Sequence, residues 1–264
     1  MNIIVCIKQV PASQKVDIDP INGTLKRAGT ETKLNPYDLF AIETAVKLKE
    51  EYGGMLTAVT MGPPQAETAL LEACYLGCDR GVIITDRAFG GADVLATSYT
   101  LAEAIRTIGI PDIIITGKQT TDGDTAQVGA EMSEWLSFPY FGNVRKITRI
   151  DNGKITASCS VDSLIYEYEA TLPVLISIDA ETCTPRLPSF SRKKNQSFEI
   201  KKLTLEDLKD HDKNHYGLEG SPTQVQRIFP PSSDKERKII EGSSRECSDA
   251  LYSVLLSGKF IQEQ

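Results

Sequence analysis

The sequence alternates short apolar runs with longer amphipathic segments, and this alternation constrains the fold more than any other feature. The apolar runs are rich in Ile and Val and cover residues 2–7, 55–61, 81–85 and 112–116. Continuous runs of this kind are typical of strands covered on both faces of a sheet. The intervening segments are long enough for helices, with predicted helices at 36–52, 65–76, 92–108 and 124–135. The chain is therefore predicted to be an α/β protein with a mainly parallel, doubly wound, Rossmann-like sheet.

A second pattern begins at residue 143, where polar and apolar residues alternate with a period of two. Residues 144–150 and 154–159 flank Asp151-Asn152-Gly153, a strong signal for a tight hairpin turn. Two more strands are predicted at 163–170 and 174–178. We expect these strands to add antiparallel edges to the parallel sheet.

The remaining segments are more polar. Residues 12–34 contain the turn signals Asp19-Pro20 and Asn22-Gly23, which suggest a small hairpin from 15–18 and 24–27. A short acidic helix is predicted at 203–210, a polar linker at 212–221, and an amphipathic helix from 234 through Leu255. This organisation predicts a nucleotide-binding α/β domain at 1–182, a loop and linker at 183–222, and a C-terminal helical arm at 223–264.

Composition excludes several classes of protein. A net charge of -7 over 264 residues argues against a nucleic-acid partner, which requires a basic face. No apolar run approaches the ~18 residues of a membrane span, and residues 1–8 resemble a first strand rather than a signal peptide, so we expect a cytoplasmic protein without membrane insertion. The six cysteines contain no C-x-x-C pair, which indicates reduced thiols. His211 and His215 lack supporting ligands, and no metal site is predicted.

The loop after the fourth strand is the main candidate site. Gly117 and Gly123 allow a sharp turn or a close approach to a ligand. The following helix directs unsatisfied N–H groups towards this loop, and such a terminus attracts an anion such as phosphate. The alternative is a plain strand-to-helix connection, in which Asp124 is the N-cap and Gln127 its reciprocal partner.

The run from Asp122 to Gly129 has the sequence Asp-Gly-Asp-Thr-Ala-Gln-Val-Gly. It resembles the nucleotide-binding signature of electron-transfer flavoprotein beta subunits of the electron-bifurcating type, whose site holds FAD. Respiratory members of that family typically have Asp-Asp-Asp-Cys-Asn-Gln-Thr-Gly there, and their site holds AMP. This chain departs from the family at Thr120-Thr121, where Ala-Ile is usual. Residues 86–93 also resemble a bifurcating-type segment, although a polar helix start would explain them as well.

The resemblance implies roles for specific residues. Backbone N–H groups of Asp124 to Val128 would hold the pyrophosphate, while Asp122, Asp124 and Thr125 would order sugar and phosphate groups. Asp93 or Thr97 would offer hydrogen bonds to the flavin or to NAD(H). No catalytic side chain is implied. The full set of expected cofactor-binding residues is Cys6, Lys8, Asn35, Asp38, Met61, Asp93, Thr97, Gly117, Lys118, Gln119, Thr120, Thr121, Asp122, Gly123, Asp124, Thr125, Ala126, Gln127 and Val128.

Residues 183–194 form the predicted recognition loop, with two prolines, Leu187, Phe190 and four cations. The loop resembles the one by which the family's beta subunits meet acyl-CoA dehydrogenase-type partners, with Leu187 at its tip. The same apolar side chains could instead pack on the chain's own core. The terminal amphipathic helix cannot bury its apolar stripe alone, and by resemblance it embraces the alpha subunit.

Taken together, the resemblance implies a heterodimeric flavoprotein subunit that binds FAD and takes electrons from NADH. It would divide them between ferredoxin and a partner dehydrogenase. The alternatives are a non-bifurcating subunit with AMP, or an adenine-nucleotide-binding regulatory module. A hydrolase would require a catalytic group that the sequence lacks.

Overall fold

A computed structural model describes residues 1–12, 31–180, 182–226 and 239–262. The predicted hairpin at 15–27 lies outside these residues. The described chain forms two compact units, Met1–Arg227 and Ile228–Gln264. The strands are β1 (Asn2–Cys6), β2 (Gln9–Pro11), β3 (Thr32–Leu34), β4 (Met55–Met61), β5 (Arg80–Ile84), β6 (Ile113–Gly117), β7 (Tyr140–Asp151), β8 (Lys154–Val161), β9 (Leu164–Thr171), β10 (Val174–Ile178) and β11 (Ile200–Leu203). The helices are α1 (Pro36–Tyr52), α2 (Glu67–Leu76), α3 (Val94–Ile108), α4 (Val128–Leu136), α5 (Phe190–Asn195) and α6 (Ser244–Ser257).

In the described part of the chain, nine strands form one sheet in the order β11-β5-β4-β1-β6-β10-β7-β8-β9. All pairs from β11 to β7 are parallel, and β8 and β9 continue the sheet antiparallel. The predicted fold class is confirmed, including the hairpin at Asn152-Gly153, where both residues have positive φ. A separate antiparallel pair joins β2 to β3.

Two layers of helices cover the sheet, as expected of a doubly wound fold. The side chains of Ile3, Val5 and Ile115 pack in a cluster with residues of α1 and α2. Ile4 and Ile114 belong to the opposite cluster, with residues of α3 and α4. Because alternate residues of one strand serve opposite faces, a nearly continuous Ile/Val run is what this sheet requires.

One strand was expected to be antiparallel, and that prediction is wrong. β10 lies inside the sheet between β6 and β7 and is parallel to both. All five of its residues are buried, which agrees with an interior strand better than with an edge. The antiparallel addition is limited to β8 and β9.

The segment after β10 also differs from the prediction. In place of a helix at 203–210 the chain forms β11, parallel to β5, and then a single 3₁₀ turn, Leu205–Asp207. Residues 212–221 are not a free linker, because Tyr216 is buried and its ring lies 5.4 Å from that of Phe89. These elements depend on contacts with distant parts of the chain, which local sequence patterns do not reveal.

The second unit contains α6. Ser243 and Glu246 form a reciprocal capping box at its start, in which the Glu246 carboxylate accepts the Ser243 N–H at 2.8 Å. The predicted helix from residue 234 begins partly outside the described residues, and its described part starts later, at Ser244. None of the helices in the described ranges is long and apolar enough to cross a bilayer.

The strand order positions the candidate site. From β1 the chain moves to one side, through β4 and β5, and then returns to place β6 on the other side of β1. The order therefore reverses between β1 and β6. In open parallel sheets, ligands bind outside the carboxyl ends of the strands at such a switch point.

Candidate functional site at the switch point

The switch-point loop, residues 117–127, connects β6 to α4. The helix begins at Val128, four residues later than predicted, and Gln127 rather than Asp124 is its N-cap. Asp124 and Ala126 have φ values of 54° and 56°, in the left-handed region. The predicted reciprocal cap between Asp124 and Gln127 is therefore wrong, because the backbone at Asp124 cannot serve as a helix cap.

The backbone of this loop exposes a series of N–H groups. The Asp124 N–H donates to the Thr120 carbonyl at 3.1 Å, so it is not available to the predicted pyrophosphate. Within the described ranges, the N–H groups of the next four residues have no hydrogen-bond partner; they are Thr125, Ala126, Gln127 and Val128. Ala126 is left-handed and Gln127 right-handed, a succession that turns neighbouring N–H groups into one concavity. The N-terminus of α4 adds its partial positive charge there.

An ion pair joins the loops of β1 and β6 beside this concavity. The Lys8 Nζ lies 2.8 and 2.7 Å from the two carboxylate oxygens of Asp122. Although partial burial alone would raise the pKa of Asp122, the hydrogen bond and charge of Lys8 hold it below its usual range. Both side chains remain partly exposed, so a ligand can reach the pair.

Asn35 links the start of α1 to the switch-point loop. Its Nδ2 donates to the Gln119 carbonyl and to Asp38 Oδ1, both at 2.9 Å. Its Oδ1 accepts the Thr121 N–H at 3.3 Å. The expected side-chain cap is absent from α1. The buried Asn35 side chain has three protein partners, which favours a role in holding the loop over direct contact with a nucleotide.

Asp38 is buried beneath the same loop. Its Oδ2 accepts the Lys8 backbone N–H at 2.7 Å. Burial raises the pKa of Asp38 to about 7, in spite of the hydrogen bonds from Asn35 and Lys8. The neighbouring thiol of Cys6 is also buried, and burial together with the Asp38 charge raises its pKa to about 12. Cys6 is therefore an un-ionised thiol at the end of β1.

The two glycines of the loop have different surroundings. A Cβ at Gly117 would lie 2.4 Å from Asp38 Oδ1 and 2.9 Å from the Tyr37 carbonyl carbon, so the loop and α1 touch through this position. A Cβ at Gly123 would meet only the Thr120 hydroxyl at 3.5 Å. Gly117 is required by packing, whereas Gly123 keeps the mouth of the concavity open.

Three residues at this edge were not predicted. Tyr37 accepts a hydrogen bond from Gln119 Nε2 at 3.3 Å, and the same amide donates to Asp124 Oδ1 at 2.6 Å. Asp179, just after β10, pairs with Lys118 at 3.1 Å. Thr116 is the third; its buried hydroxyl has no partner in the described part of the chain. The position of Tyr37 in the Asn-Pro-Tyr-Asp segment was the available signal for one of them.

The loop after β5 contains glycine and aspartate, as the switch-point loop does, but its polar side chains are hydrogen-bonded differently. Asp93 caps α3 by accepting the Ala96 N–H, and its other oxygen accepts both the N–H and the hydroxyl of Thr223 at 3.0 and 2.7 Å. Its carboxylate oxygens are thus occupied by the protein. Thr97 lies in the first turn of α3 and is half-buried, and Met61 is half-buried at the end of β4. Among the described residues, neither side chain has a hydrogen bond to the switch-point loop.

The two histidines belong to a different part of the unit. The His211 ring contacts the Leu208 carbonyl at 2.7 Å, and the His215 Nδ1 lies 2.5 Å from Asp210 Oδ2. Among the described residues, no group of three or more His, Cys, Asp or Glu side chains is arranged for a metal ion. The described cysteines are all unpaired.

The recognition loop exposes its apolar residues. Leu187 is 88% exposed and Phe190 76% exposed, so neither packs on the core of its own unit. Arg186 fixes the loop by pairing with Glu43 at 2.8 Å and with Glu50 at 2.7 Å. These ion pairs fix the position of the loop, so that Leu187 and Phe190 are held in solvent at a defined place.

The fold and the site define a class of protein: a doubly wound α/β protein with a loop of unpaired backbone N–H groups at the switch point of its sheet. Residues 22–208 match the electron transfer flavoprotein domain family. The chain is 40% identical over 262 residues to an electron transfer flavoprotein subunit beta of Clostridium acetobutylicum, covering 99% of this chain and 100% of that protein. A protein of the same description from Thermoanaerobacterium thermosaccharolyticum is 40% identical over 263 residues, with 99% and 100% coverage. Protein FixA of Azorhizobium caulinodans is 40% identical over 261 residues, with 96% and 93% coverage.

The chain belongs to the electron transfer flavoprotein family, together with these beta subunits and FixA proteins.

Proposed function

We propose that the chain is the beta subunit of a heterodimeric electron-transfer flavoprotein that binds FAD at the switch-point loop. In this proposal it takes electrons from NADH and divides them between ferredoxin and a partner dehydrogenase in the cytoplasm. The run from Asp122 to Gly129 supports FAD over AMP, since it lacks the larger side chain at position 123 of the AMP-type signature. The relatives from Clostridium acetobutylicum and Thermoanaerobacterium thermosaccharolyticum are beta subunits, which supports the heterodimer.

The observation that carries the proposal is the row of unpaired backbone N–H groups from Thr125 to Val128. A diphosphate is an anion with several acceptor oxygens, and a helix N-terminus preceded by a concave loop fits such a group. Lys8 adds a side-chain cation at the same mouth. Unpaired N–H groups and a lysine at the switch point of the sheet fit a nucleotide better than a substrate without phosphate.

Each part of the site has a task in this proposal. The N–H groups of Thr125 to Val128 hold the diphosphate, and the carboxylates of Asp122 and Asp124 accept sugar hydroxyls. Gly123 leaves room for the second half of a dinucleotide. A bound flavin supplies hydride and single-electron chemistry, while the protein binds, orients and shields it. None of these residues is expected to transfer a proton.

The experiment that tests the proposal is cofactor extraction from the co-purified heterodimer. We expect two FAD molecules per heterodimer, one of them in this chain. One FAD and one AMP would contradict the FAD assignment. A colourless homodimer would contradict the flavoprotein subunit altogether and would favour a regulatory nucleotide-binding module.

We also propose that three segments of the chain bind the cofactor and the partner proteins separately. Residues 1–182 bind the flavin, residues 183–222 dock an acyl-CoA dehydrogenase-type or other flavin dehydrogenase, and residues 223–264 pack on the alpha subunit. The exposure of Leu187 and Phe190 supports the docking role. So does the ion pairing that holds Arg186 in place.

The docking role predicts that Leu187→Ala lowers the affinity for the dehydrogenase about tenfold, as expected for removal of a central apolar anchor. The heterodimer itself should retain both flavins. Ile110→Ala is the matched control, because Ile110 is 55% exposed in the loop that follows α3, which covers the face of the sheet opposite α1 and α2. Titration calorimetry with the purified dehydrogenase measures both variants, and equal affinities would remove Leu187 from the interface.

A further inference from the structure

Asp38 lies at the junction of three segments that are far apart in sequence. Its two oxygens accept the Lys8 N–H at 2.7 Å and the Asn35 Nδ2 at 2.9 Å. Asn35 in turn holds both the Gln119 carbonyl and the Thr121 N–H of the switch-point loop. The end of β1, the start of α1 and the loop after β6 are therefore connected through one buried carboxylate.

Gly117 brings the loop into direct contact with this carboxylate, because a Cβ there would lie 2.4 Å from Asp38 Oδ1. The charged and titratable groups that face Asp38 are Lys8 and Cys6 on β1 and its extension, and Asp122 on the loop. Lys8 favours the ionised carboxylate, whereas the Asp122 charge disfavours it.

The hydrogen-bond pattern requires an ionised carboxylate. Both groups that approach Asp38 are N–H donors, and an ionised carboxylate accepts at both oxygens. A protonated carboxyl group carries a donor on one oxygen, so one of the two N–H groups loses its acceptor. A buried N–H without a partner is costly, and the connection would open at that point.

We propose that Asp38 is a positioning residue whose ionised carboxylate holds the switch-point loop in its nucleotide-binding conformation, and that uptake of a proton from solvent by this group weakens nucleotide binding. The inference rests on the proposed function, because it requires a nucleotide at this loop. Asp38 and Asn35, expected from the sequence to contact the cofactor, instead act through the loop.

Proton uptake by Asp38 has opposite effects on binding and on stability. Burial raises the pKa of Asp38 to about 7 from a usual value near 3.8. A group whose pKa is raised in the folded state contributes stability at low pH, and that contribution is lost as the pH rises towards 7. The fold should therefore gain stability from this group on acidification while the site binds nucleotide less tightly. A carboxylate with a purely structural role would not raise stability and weaken nucleotide binding at the same pH.

The test is FAD affinity of the nucleotide-depleted heterodimer at about pH 8 and about pH 6, measured by equilibrium dialysis. FAD is the suitable probe because its diphosphate has no proton to exchange in this range. If only the ionised form binds, a carboxyl group with a pKa of about 7 weakens binding about tenfold over this interval. Asp38→Asn presents a permanent donor to the same N–H groups, so it should bind at least tenfold more weakly at pH 8 and show no dependence on pH.

Asp79→Asn is the matched control. Asp79 also accepts a strand N–H, from Leu56 at 2.9 Å, and a lysine, Lys49 at 2.6 Å, but at the amino ends of the strands. This variant should lose stability and keep the tenfold pH dependence of FAD affinity. Both variants retain His211 and His215, so titration of the histidines cannot explain a difference between them.

The outcomes separate the inference from the proposed function. FAD binding to this subunit that does not change between pH 6 and pH 8 in the unmodified protein would overturn the inference and leave the proposed function standing. The same holds if Asp38→Asn keeps the pH dependence. If the subunit binds no FAD at either pH, the proposed function fails and the inference fails with it. Should Asp38→Asn not fold, the unmodified protein still tests the inference, because an FAD affinity that does not change between pH 6 and pH 8 overturns it.

Discussion

Two loops at the same edge of the sheet differ in how they satisfy their polar groups. The loop after β5 uses its acidic side chains internally: Asp86 accepts N–H groups of Ala88 and Leu205, and Asp93 accepts those of Ala96 and Thr223. The switch-point loop also uses side chains to hold its shape. It nevertheless leaves consecutive backbone N–H groups, Thr125 to Val128, without partners in the described chain.

The two loops show which polar groups remain available to a ligand. Sequence character alone made both loops candidates, because each follows a parallel strand, contains glycine and aspartate, and leads into a helix. A saturated carboxylate contributes to stability, whereas an unpaired row of donors is available to a ligand. The comparison predicts that changes in the two loops affect different measurable quantities.

The largest effect is expected for Gly117→Ala, which tests the contact between the switch-point loop and α1. The added methyl group would overlap Asp38 and the Tyr37 backbone, which requires movement of α1 or of the loop. We expect a loss of about 2–3 kcal/mol of unfolding free energy, typical of a site that cannot relax. FAD should be lost from this subunit as well.

Urea unfolding and flavin content of the heterodimer measure these effects. Gly123→Ala is the control in the same loop, because a Cβ there has only a contact of 3.5 Å to meet. Equal behaviour of the two variants would mean that the loop does not depend on its packing against α1.

A smaller effect, confined to binding, is expected for Gly123→Asp. The new carboxylate has room, so the fold should be retained, but it adds a negative charge at the mouth that must receive a diphosphate. We expect FAD affinity in this subunit to fall at least tenfold, or about 1.4 kcal/mol, while the FAD of the alpha subunit remains.

Gly123→Asn separates charge from size, and it should bind more tightly than the Asp variant. Equilibrium dialysis of the heterodimer gives both affinities. Equal retention of both flavins in Gly123→Asp would place the diphosphate elsewhere.

The smallest effect is expected for Asp93→Asn, and it should appear in stability alone. This change removes a helix cap and a paired acceptor for Thr223, at a cost of about 1–2 kcal/mol. FAD affinity should stay within about twofold of the unmodified protein, since each Asp93 oxygen already has a protein partner. A large loss of flavin from Asp93→Asn would show that the loop after β5 also contributes to binding, contrary to the comparison of the two loops.

The pH dependence of stability provides a second measurement for Asp93. Burial alone would raise its pKa, but hydrogen bonds from Thr223 and Ala96 hold the pKa below its usual range. A lowered pKa contributes stability above the usual value of about 3.8, and this is lost as the pH falls further. Urea unfolding at about pH 7 and about pH 3 should therefore show less acid sensitivity for Asp93→Asn than for the unmodified protein.

The sequence predicted the fold class because the pattern is strong over the whole domain. Buried strands such as β1 and β6 are continuous Ile/Val runs, and helices such as α1 begin with Asn-Pro and end at glycine. The residues of a strand do not specify which other strands it pairs with, or in which direction. For this reason β10 was expected antiparallel, and β11, Ile200-Lys201-Lys202-Leu203, was not predicted as a strand; its last residue was expected to begin a helix.

For the candidate site, the sequence predicted the place of the loop between β6 and α4 more accurately than its backbone conformation. Spacing indicated the loop of residues 117–127, but it could not show that Asp124 and Ala126 adopt left-handed backbone, which delays the start of α4. Nor could it show that Asn35 and Asp38 face inward. Their partners lie up to 86 residues away along the chain, and only the folded sheet brings them together.

The Lys8–Asp122 ion pair joins residues 114 positions apart in the sequence. This separation affects when the site forms during folding. Contacts of such long range form late, after the local helices and neighbouring strands have assembled. A chain without β6 lacks the switch-point loop, so in the proposed function only a chain that has folded this far can bind the coenzyme. In the proposed function, bound coenzyme then stabilises the folded chain by mass action, by an amount that rises with the logarithm of the free coenzyme concentration above its dissociation constant.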